Sequence, residues 1–554
     1  MSINPHPVPA IPTETQRVAQ AVFANGNPYL TLHDELGLIF EDADFSKLFS
    51  KVGQSAVPPW RLALVTIMQF RENLSDRQAA EAVRSRIDWK YLLRLDLVDT
   101  GFNYSVLSEF RGRLIAGNAE HLLLDKLLCR CKELGLVKAG NQQRTDSTHI
   151  LGAIRSLNRL EVVGETLRAA LNDLAVLAPE WLQEIAPEDW YQRYGRRIED
   201  YRLPSKKEER IAYAQQVGED GDYLLRCLAN SEIAAEGKTL ATVEALENLW
   251  PYHYEYSGKE DGANLRWKSD KEAKAQGQVP SVESPYDTEA RYRRRGGTTW
   301  TGYIVHVSET CGDDSCHLIT HMMTTNASVH ETQCTDNINQ ALMDKQLRPD
   351  EHFADAAYIN APLLVKASQR NIEMVGPARL DTSWQAQTEG AFSLDKFEID
   401  WENEQVSCPQ GKVSQAWKAY THDPEKSYIL VRFHPQDCID CPVRSLCTRA
   451  KSAKGRTVHL LPQEEHEALT EARMKQASIE WKKRYQRRAG IESTIAQGVA
   501  SCGLRRSRYV GLTKTHLQNM AIGAAVNIDR LFNWFQQVPL AKTRVSRFKA
   551  LEKA

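Results

Sequence analysis

The sequence predicts an α/β protein: a mixed sheet flanked by helices, preceded by an all-helical N-terminal domain and interrupted by a helical insertion and a small cysteine-bearing one. Three observations predict it. At 554 residues the chain is too long for one ordinary core. Between residues 60 and 136 apolar side chains recur at helical spacing, in stretches such as WRLALVTIMQFREN and AEHLLLDKLLCRCKELGL. Beyond residue 285 the patterns alternate as strand, strand, helix, strand, helix, strand.

Taken in order, residues 1–28 are rich in Pro, Asn and Thr and read as a loose arm. Residues 29–140 form the helical domain, with Ser75 as an expected N-cap. Arg77, Arg84 and Arg86 on a polar face suit a DNA-binding role, a plain packing bundle being the alternative. Residues 141–154 supply the first core strand, within QQRTDSTHILGAI, whose polar centre is hard to explain by burial alone. Residues 155–284 are the helical insertion. The core resumes over 285–380 with TWTGYIVHVSET and CHLITHMMTTNAS, joined by the turn CGDDS, and continues through a strand running into HFADAAYIN. That order describes an antiparallel hairpin feeding parallel crossovers. Residues 381–465 hold short strands, Gly, Pro and clustered cysteines. Residues 466–540 carry one long helix containing Glu492 and a closing apolar helix.

A net charge of −2 does not advertise a nucleic-acid partner, so the distribution of charge matters more. Acid is concentrated in 180–200 and 244–261, whereas Lys482, Lys483, Arg484, Arg487 and Arg488 crowd one short stretch, followed by Arg505, Arg506 and Arg508. A local positive field of this kind attracts a polyanion. The 11 cysteines are odd in number and no secretory leader precedes them, which argues against a disulfide framework. No apolar run reaches about 18 residues, so a cytoplasmic protein without a membrane partner is expected.

Three carboxylates carry the chemistry. Asp146 sits inside the first core strand, where an unpaired buried carboxylate costs several kcal/mol. Asp355 lies where the strand entering HFADAAY should end, the sheet edge at which open α/β folds place active sites. Glu492 follows in YQRRAGIES; on a helix of about 3.6 residues per turn, Tyr485, Arg488 and Glu492 share one face. Three such acids form a hard-oxygen site for Mg²⁺ or Mn²⁺, and two ions about 3.5 to 4 Å apart can drive phosphodiester cleavage.

Asp146, Asp355 and Glu492, with Tyr485 and Arg488 at the spacing Y-x2-R-x3-E, resemble the DDE transposases of bacterial insertion sequences, in the IS-four superfamily and its eleven-eighty-two group. The resemblance runs from about residue 57 to 535 and includes RTDSTHI, TGYIVH, ADAAYIN and GLRRSRYVGLTKTHLQ. It implies a ribonuclease-H-like core, two Mg²⁺ or Mn²⁺ ions on the three acids, and DNA-end contacts by the cations Arg488, Lys482, Lys483, Arg505 and Arg506; Tyr485 is placed to stack on a base displaced near the cut, a core-facing tyrosine being the alternative. It also implies binding of double-stranded terminal inverted repeats and target DNA, a homodimer in the synaptic complex, and a place at the bacterial nucleoid. One position departs: Val499 stands where the signature expects a lysine, and Arg505 or Arg506 would have to supply that phosphate contact. The rival readings are a domesticated DNA-binding protein and a metal-dependent nuclease or phosphatase without strand joining.

Cys408, Cys438, Cys441 and Cys447 supply a C-x2-C pair and two further thiols, sufficient for a tetrahedral structural Zn²⁺ site in a small β-rich insertion; four reduced thiols are the plain alternative.

Overall fold

The computed structural model describes residues 2–155, 157–257, 264–275, 282–313, 315–421, 427–450 and 454–538. The first 28 residues, expected as a loose arm, contain the helix Thr13–Val22, docked through Ala19 against Tyr91 and by a Thr15 hydroxyl bond to the Leu95 carbonyl (2.8 Å). Its buried positions Thr15 and Ala19 share one face, which the composition of the segment concealed.

The helices of the N-terminal region follow the expected pattern, and Ser75 caps Asp76–Ser85 in a reciprocal capping box with Gln78. Helix Pro59–Arg71 is buried along nearly its whole length because it lies between the other N-terminal helices and the C-terminal helix Leu512–Phe535. Met68, Leu124, Met322 and Met520 belong to one continuous hydrophobic core. The N-terminal helices, the sheet and the closing helix are therefore packed as one body.

The central sheet is built on β1 (Gln142–Leu151). The insertion that follows is helical but includes a short hairpin of β2 (Tyr254–Ser257) and β3 (Asn264–Trp267), and it has its own core around Val163, Leu167, Leu246 and Trp250. The chain returns to the sheet with β4 (Arg291–Arg295), β5 (Thr298–Thr310), β6 (Ile319–Asn326), β7 (Glu351–Phe353) and β8 (Glu373–Val375). β1 pairs antiparallel with β5 and parallel with β7, and β8 extends the parallel side. β4 and β6 share the far edge of β5. This mixed sheet flanked by helices is consistent with a ribonuclease-H-like core.

The cysteine-bearing segment contains a β9 (Glu398–Asp400) and β10 (Gln405–Ser407) pair and the three-stranded sheet β11 (Ala416–Thr421), β12 (Ser427–Arg432) and β13 (Thr457–Leu460). Its core gathers Phe397, Val406, Val431 and Phe433. The single long helix expected around Glu492 is instead two helices, Ile479–Tyr485 and Ile491–Cys502, joined by a 3₁₀ turn over Gln486–Gly490. Gly490 explains the break: a Cβ there would strike the Arg144 guanidinium, which donates to the Arg487 carbonyl (2.7 Å) inside the turn. Among the described residues no helix is long and apolar enough to cross a membrane.

Candidate active site

The site sits where β1, the end of β7 and the Ile491–Cys502 helix meet. Asp146 projects from the middle of β1, opposite Val307 of β5. Asp355 follows β7 by two residues and caps the next turn, its Oδ1 accepting from the Ala357 amide at 2.8 Å. Asp146 Oδ1 likewise accepts from a backbone amide, that of Ser147, at 2.8 Å. Each aspartate thus spends one oxygen on the backbone and turns the other into the site. Glu492, in the first turn of its helix, completes the set and is the most open of the three.

All three carboxylates surround one cation. Arg488 Nη2 lies 2.6 Å from Asp146 Oδ2 and 4.0 Å from Asp355 Oδ2, while Nη1 lies 3.4 Å from Glu492 Oε1. Burial pushes the Asp146 carboxyl above the usual aspartate range, and the Arg488 charge opposes that push. Among the described residues no group of three or more His, Cys, Asp or Glu side chains is gathered closely enough to hold a metal ion. Between these acids the guanidinium itself stands. A place that three anionic oxygens make attractive to a cation, with hard donors only, fits Mg²⁺ or Mn²⁺ in chemical type.

A second layer of charge was not anticipated. Glu331, only 1% exposed, accepts from Arg293 and Arg295 of β4, and Arg295 also reaches Asp355 Oδ2 at 3.3 Å. The signal was present as the RYRRRGG run, four arginines before a glycine turn. Beneath the Glu492 helix lies another buried network. Glu309 of β5 is paired with Arg144 (2.6 Å) and with Arg530 of the closing helix (2.5 Å).

The expected DNA-binding residues divide. Lys482 and Lys483 are exposed, whereas their neighbours are engaged: Arg484 pairs with Glu351 and with Glu373 (2.7 Å), and Arg487 with Asp313 (2.6 Å). Tyr485 is half-buried, stacked on Trp481 at 4.9 Å between ring centres and packed toward Phe353 and Val375. Arg505 Nε bonds Thr148 Oγ1 (2.9 Å), two residues along β1 from Asp146 and on the same face, and Arg506 is exposed beside it. Val499 packs against the main core. In the N-terminal helices Arg86 is tied to Glu72 and Asp88, Arg84 bonds the Thr100 carbonyl (3.2 Å) and Arg77 lies over the Tyr104 ring.

Cys408, Cys438, Cys441 and Cys447 line one cavity of about 350 Å³ together with Arg444 and Arg456. The Arg456 amide donates to Cys438 Sγ at 3.3 Å, and burial raises the Cys447 thiol above its ordinary range, with the other three thiols adding to the effect.

Residues 407–532, which include Cys408, Glu492 and most of the closing helix, match the family model of a transposase DDE domain. Residues 18–113, which span the first N-terminal helices, match that of a transposase domain (DUF772). No curated protein matches the chain. Two transposase domains on one chain support a DDE transposase, and a DDE domain implies an enzyme that acts in DNA transposition.

Proposed function

We propose that the chain is the transposase of a bacterial insertion sequence, of the IS-four superfamily and its eleven-eighty-two group, acting on the double-stranded terminal inverted repeats of its own element. The observation that carries this reading is the convergence of Asp146, Asp355 and Glu492, from three distant parts of the chain, on the single Arg488 guanidinium. Asp146, Asp355 and Glu492 would hold two Mg²⁺ or Mn²⁺ ions, which when bound activate the attacking oxygen and stabilise the leaving one. Asp146 and Asp355 each present the oxygen not bound to backbone. Their rigid seats, a central strand and a capped turn, fix the spacing between donors. Arg488 would exchange the acids for phosphate oxygens of the DNA end, which its planar fork matches.

Lys482, Lys483, Arg505 and Arg506 extend the cationic surface along the backbone of the bound end, and Tyr485 forms the wall beside it. Cys408, Cys438, Cys441 and Cys447 would close on one structural Zn²⁺, whose thiolate chemistry fits four cysteines of a small β-rich module. Two copies would assemble on paired ends, at the nucleoid in the cytoplasm, and the freed 3′ hydroxyls would attack target DNA.

The test uses the purified chain and duplexes taken from the DNA flanking its gene, with Mg²⁺ and a target plasmid. Cutting at the element boundary and covalent joining are expected. Asp146→Asn, Asp355→Asn and Glu492→Gln should each abolish both while retaining end binding. Cutting without joining would assign a metal-dependent nuclease, and binding without cutting a domesticated DNA-binding protein.

A further inference from the structure

We infer that Arg295 is a phosphate-holding residue of this site, delivered by the β4–β5 hairpin. The inference rests on reading the three acids as a divalent-ion site. β4 ends at Arg295, and the two-residue turn Gly296 and Gly297, with φ of +54° and +84°, returns the chain into β5. Such a turn fixes the position of the residue beside it. Arg295 therefore enters the site from a defined register, opposite Thr298.

Its partners show what it is free to do. Glu331 is already engaged by Arg293 through two bonds of 2.9 and 3.2 Å, so it does not need Arg295 for neutralisation. Arg295 Nη1 rests on Glu331 Oε1 (2.9 Å) and Ser147 Oγ (3.2 Å), which anchors one arm of the guanidinium next to Asp146. Nη2 points the other way, to Asp355 Oδ2 at 3.3 Å. The side chain is 42% exposed, against 18% for Arg488. One arm is held and one faces the acids.

The charge balance then changes when the site fills. The three site acids and Glu331 face Arg293, Arg295 and Arg488, which leaves one negative charge in excess. Two divalent ions reverse that excess, and the reversed field attracts an anion. With Asp355 among the residues that would hold an ion, Nη2 of Arg295, still anchored through Nη1, would turn to a non-bridging oxygen of the phosphate being cut. A guanidinium suits this exchange because its donors lie in one rigid plane.

The full chain is assayed on a flanking-DNA duplex at saturating DNA and Mg²⁺. The duplex is unmodified, or carries a methylphosphonate at the position the parental chain cuts. Arg295→Ala should slow cutting of the unmodified duplex by roughly a hundredfold, with affinity for the duplex nearly unchanged. The decisive reading is the penalty for the methylphosphonate, which should be several-fold smaller in Arg295→Ala than in the parent, since an oxygen no longer held cannot be missed. A structural role alone would leave that penalty as it is. Arg295→Gln, which keeps hydrogen-bonding capacity toward Glu331 and Ser147, decides the matter if the alanine variant fails to fold. Arg294→Ala, on the exposed side of β4, should cut normally. Parental cutting by Arg295→Ala, or an undiminished penalty in the folded variants, overturns the inference alone. A parental chain that cuts in the absence of any divalent ion, or fails to cut in its presence, overturns the proposed function and this inference with it.

Discussion

Thr494, two residues along the helix from Glu492, donates its hydroxyl to the fully buried Glu309 at 2.6 Å. Through that bond a carboxylate in β5 holds the helix that carries the third acid. Burial would raise the Glu309 carboxyl, but Arg530 and Arg144 outweigh it and keep the group ionised below its ordinary range. The same Arg144 holds the Arg487 carbonyl in the preceding turn. Both ends of the approach to Glu492 are thus tied to one buried ionic network.

Glu309→Ala should therefore destabilise the chain by about 3–5 kcal/mol, because the buried Arg144 and the half-buried Arg530 lose their shared partner. Urea unfolding measures it. Glu309→Gln keeps the shape and some hydrogen bonds and should cost less. An alanine variant with the parental urea midpoint would show that the network does not support the fold.

Much of this architecture was legible in the sequence. Hydrophobic spacing marked the N-terminal helices and the hairpin of β5 and β6, and the polar centre of QQRTDSTHIL marked the strand of Asp146. What escaped depends on partners remote in sequence. Arg144 and Glu309 look like surface residues until strand pairing sets them opposite each other. The turn at Gln486–Gly490 is set by a guanidinium more than 300 residues away in the chain, at Arg144, and the one local sign of it, Gly490, does not by itself say that the helix breaks there. The N-terminal helices read as a separate domain because their amphipathic faces do not name what covers them, which is the helix Leu512–Phe535.

Stability should fall in mild acid. His306 and His352 lie under β1 on the face opposite Asp146. His306 is bonded to Tyr358 Oη (2.7 Å), and His352 to Thr145 Oγ1 (2.6 Å) and Asn339 Oδ1 (2.7 Å). Burial holds each imidazole down to about 4. A histidine depressed in the folded state binds its proton more readily when unfolded. Its contribution is complete above the unfolded value near 6.5 and is lost as the pH falls toward 4, by up to roughly 3 kcal/mol for each. Urea midpoints between pH 7.5 and 4.5 measure the slope, which His352→Gln should flatten. An equal slope in that variant would remove His352 from the account.

The four cysteines that line the 350 Å³ cavity should retain one zinc per chain when the protein is purified without chelator. Removal of the zinc, or Cys441→Ser, should lower the melting temperature of the β11–β13 module, since metal binding and folding are coupled. Elemental analysis that finds no zinc, in protein whose thiols all react as free, would rule the site out.

The last prediction concerns Arg488. Its guanidinium lies among all three acids, closest to Asp146 at 2.6 Å. Three effects should follow from Arg488→Ala, and they differ in sign. The Asp146 carboxyl, already raised by burial, loses the charge that opposes the rise, so the acid limb of the pH–rate profile should move to higher pH. At pH 8 the acids no longer share their field with an internal cation, and half-saturation by Mg²⁺ should fall to a lower concentration. Turnover at saturating Mg²⁺ should nevertheless decline, roughly tenfold or more, if Arg488 makes the proposed charged contact to the DNA end. Cutting rates measured against pH, and then against Mg²⁺ at pH 8, separate these effects. An unmoved acid limb together with an unchanged Mg²⁺ requirement would mean that Arg488 does not govern the field at Asp146, and that the three acids act without it.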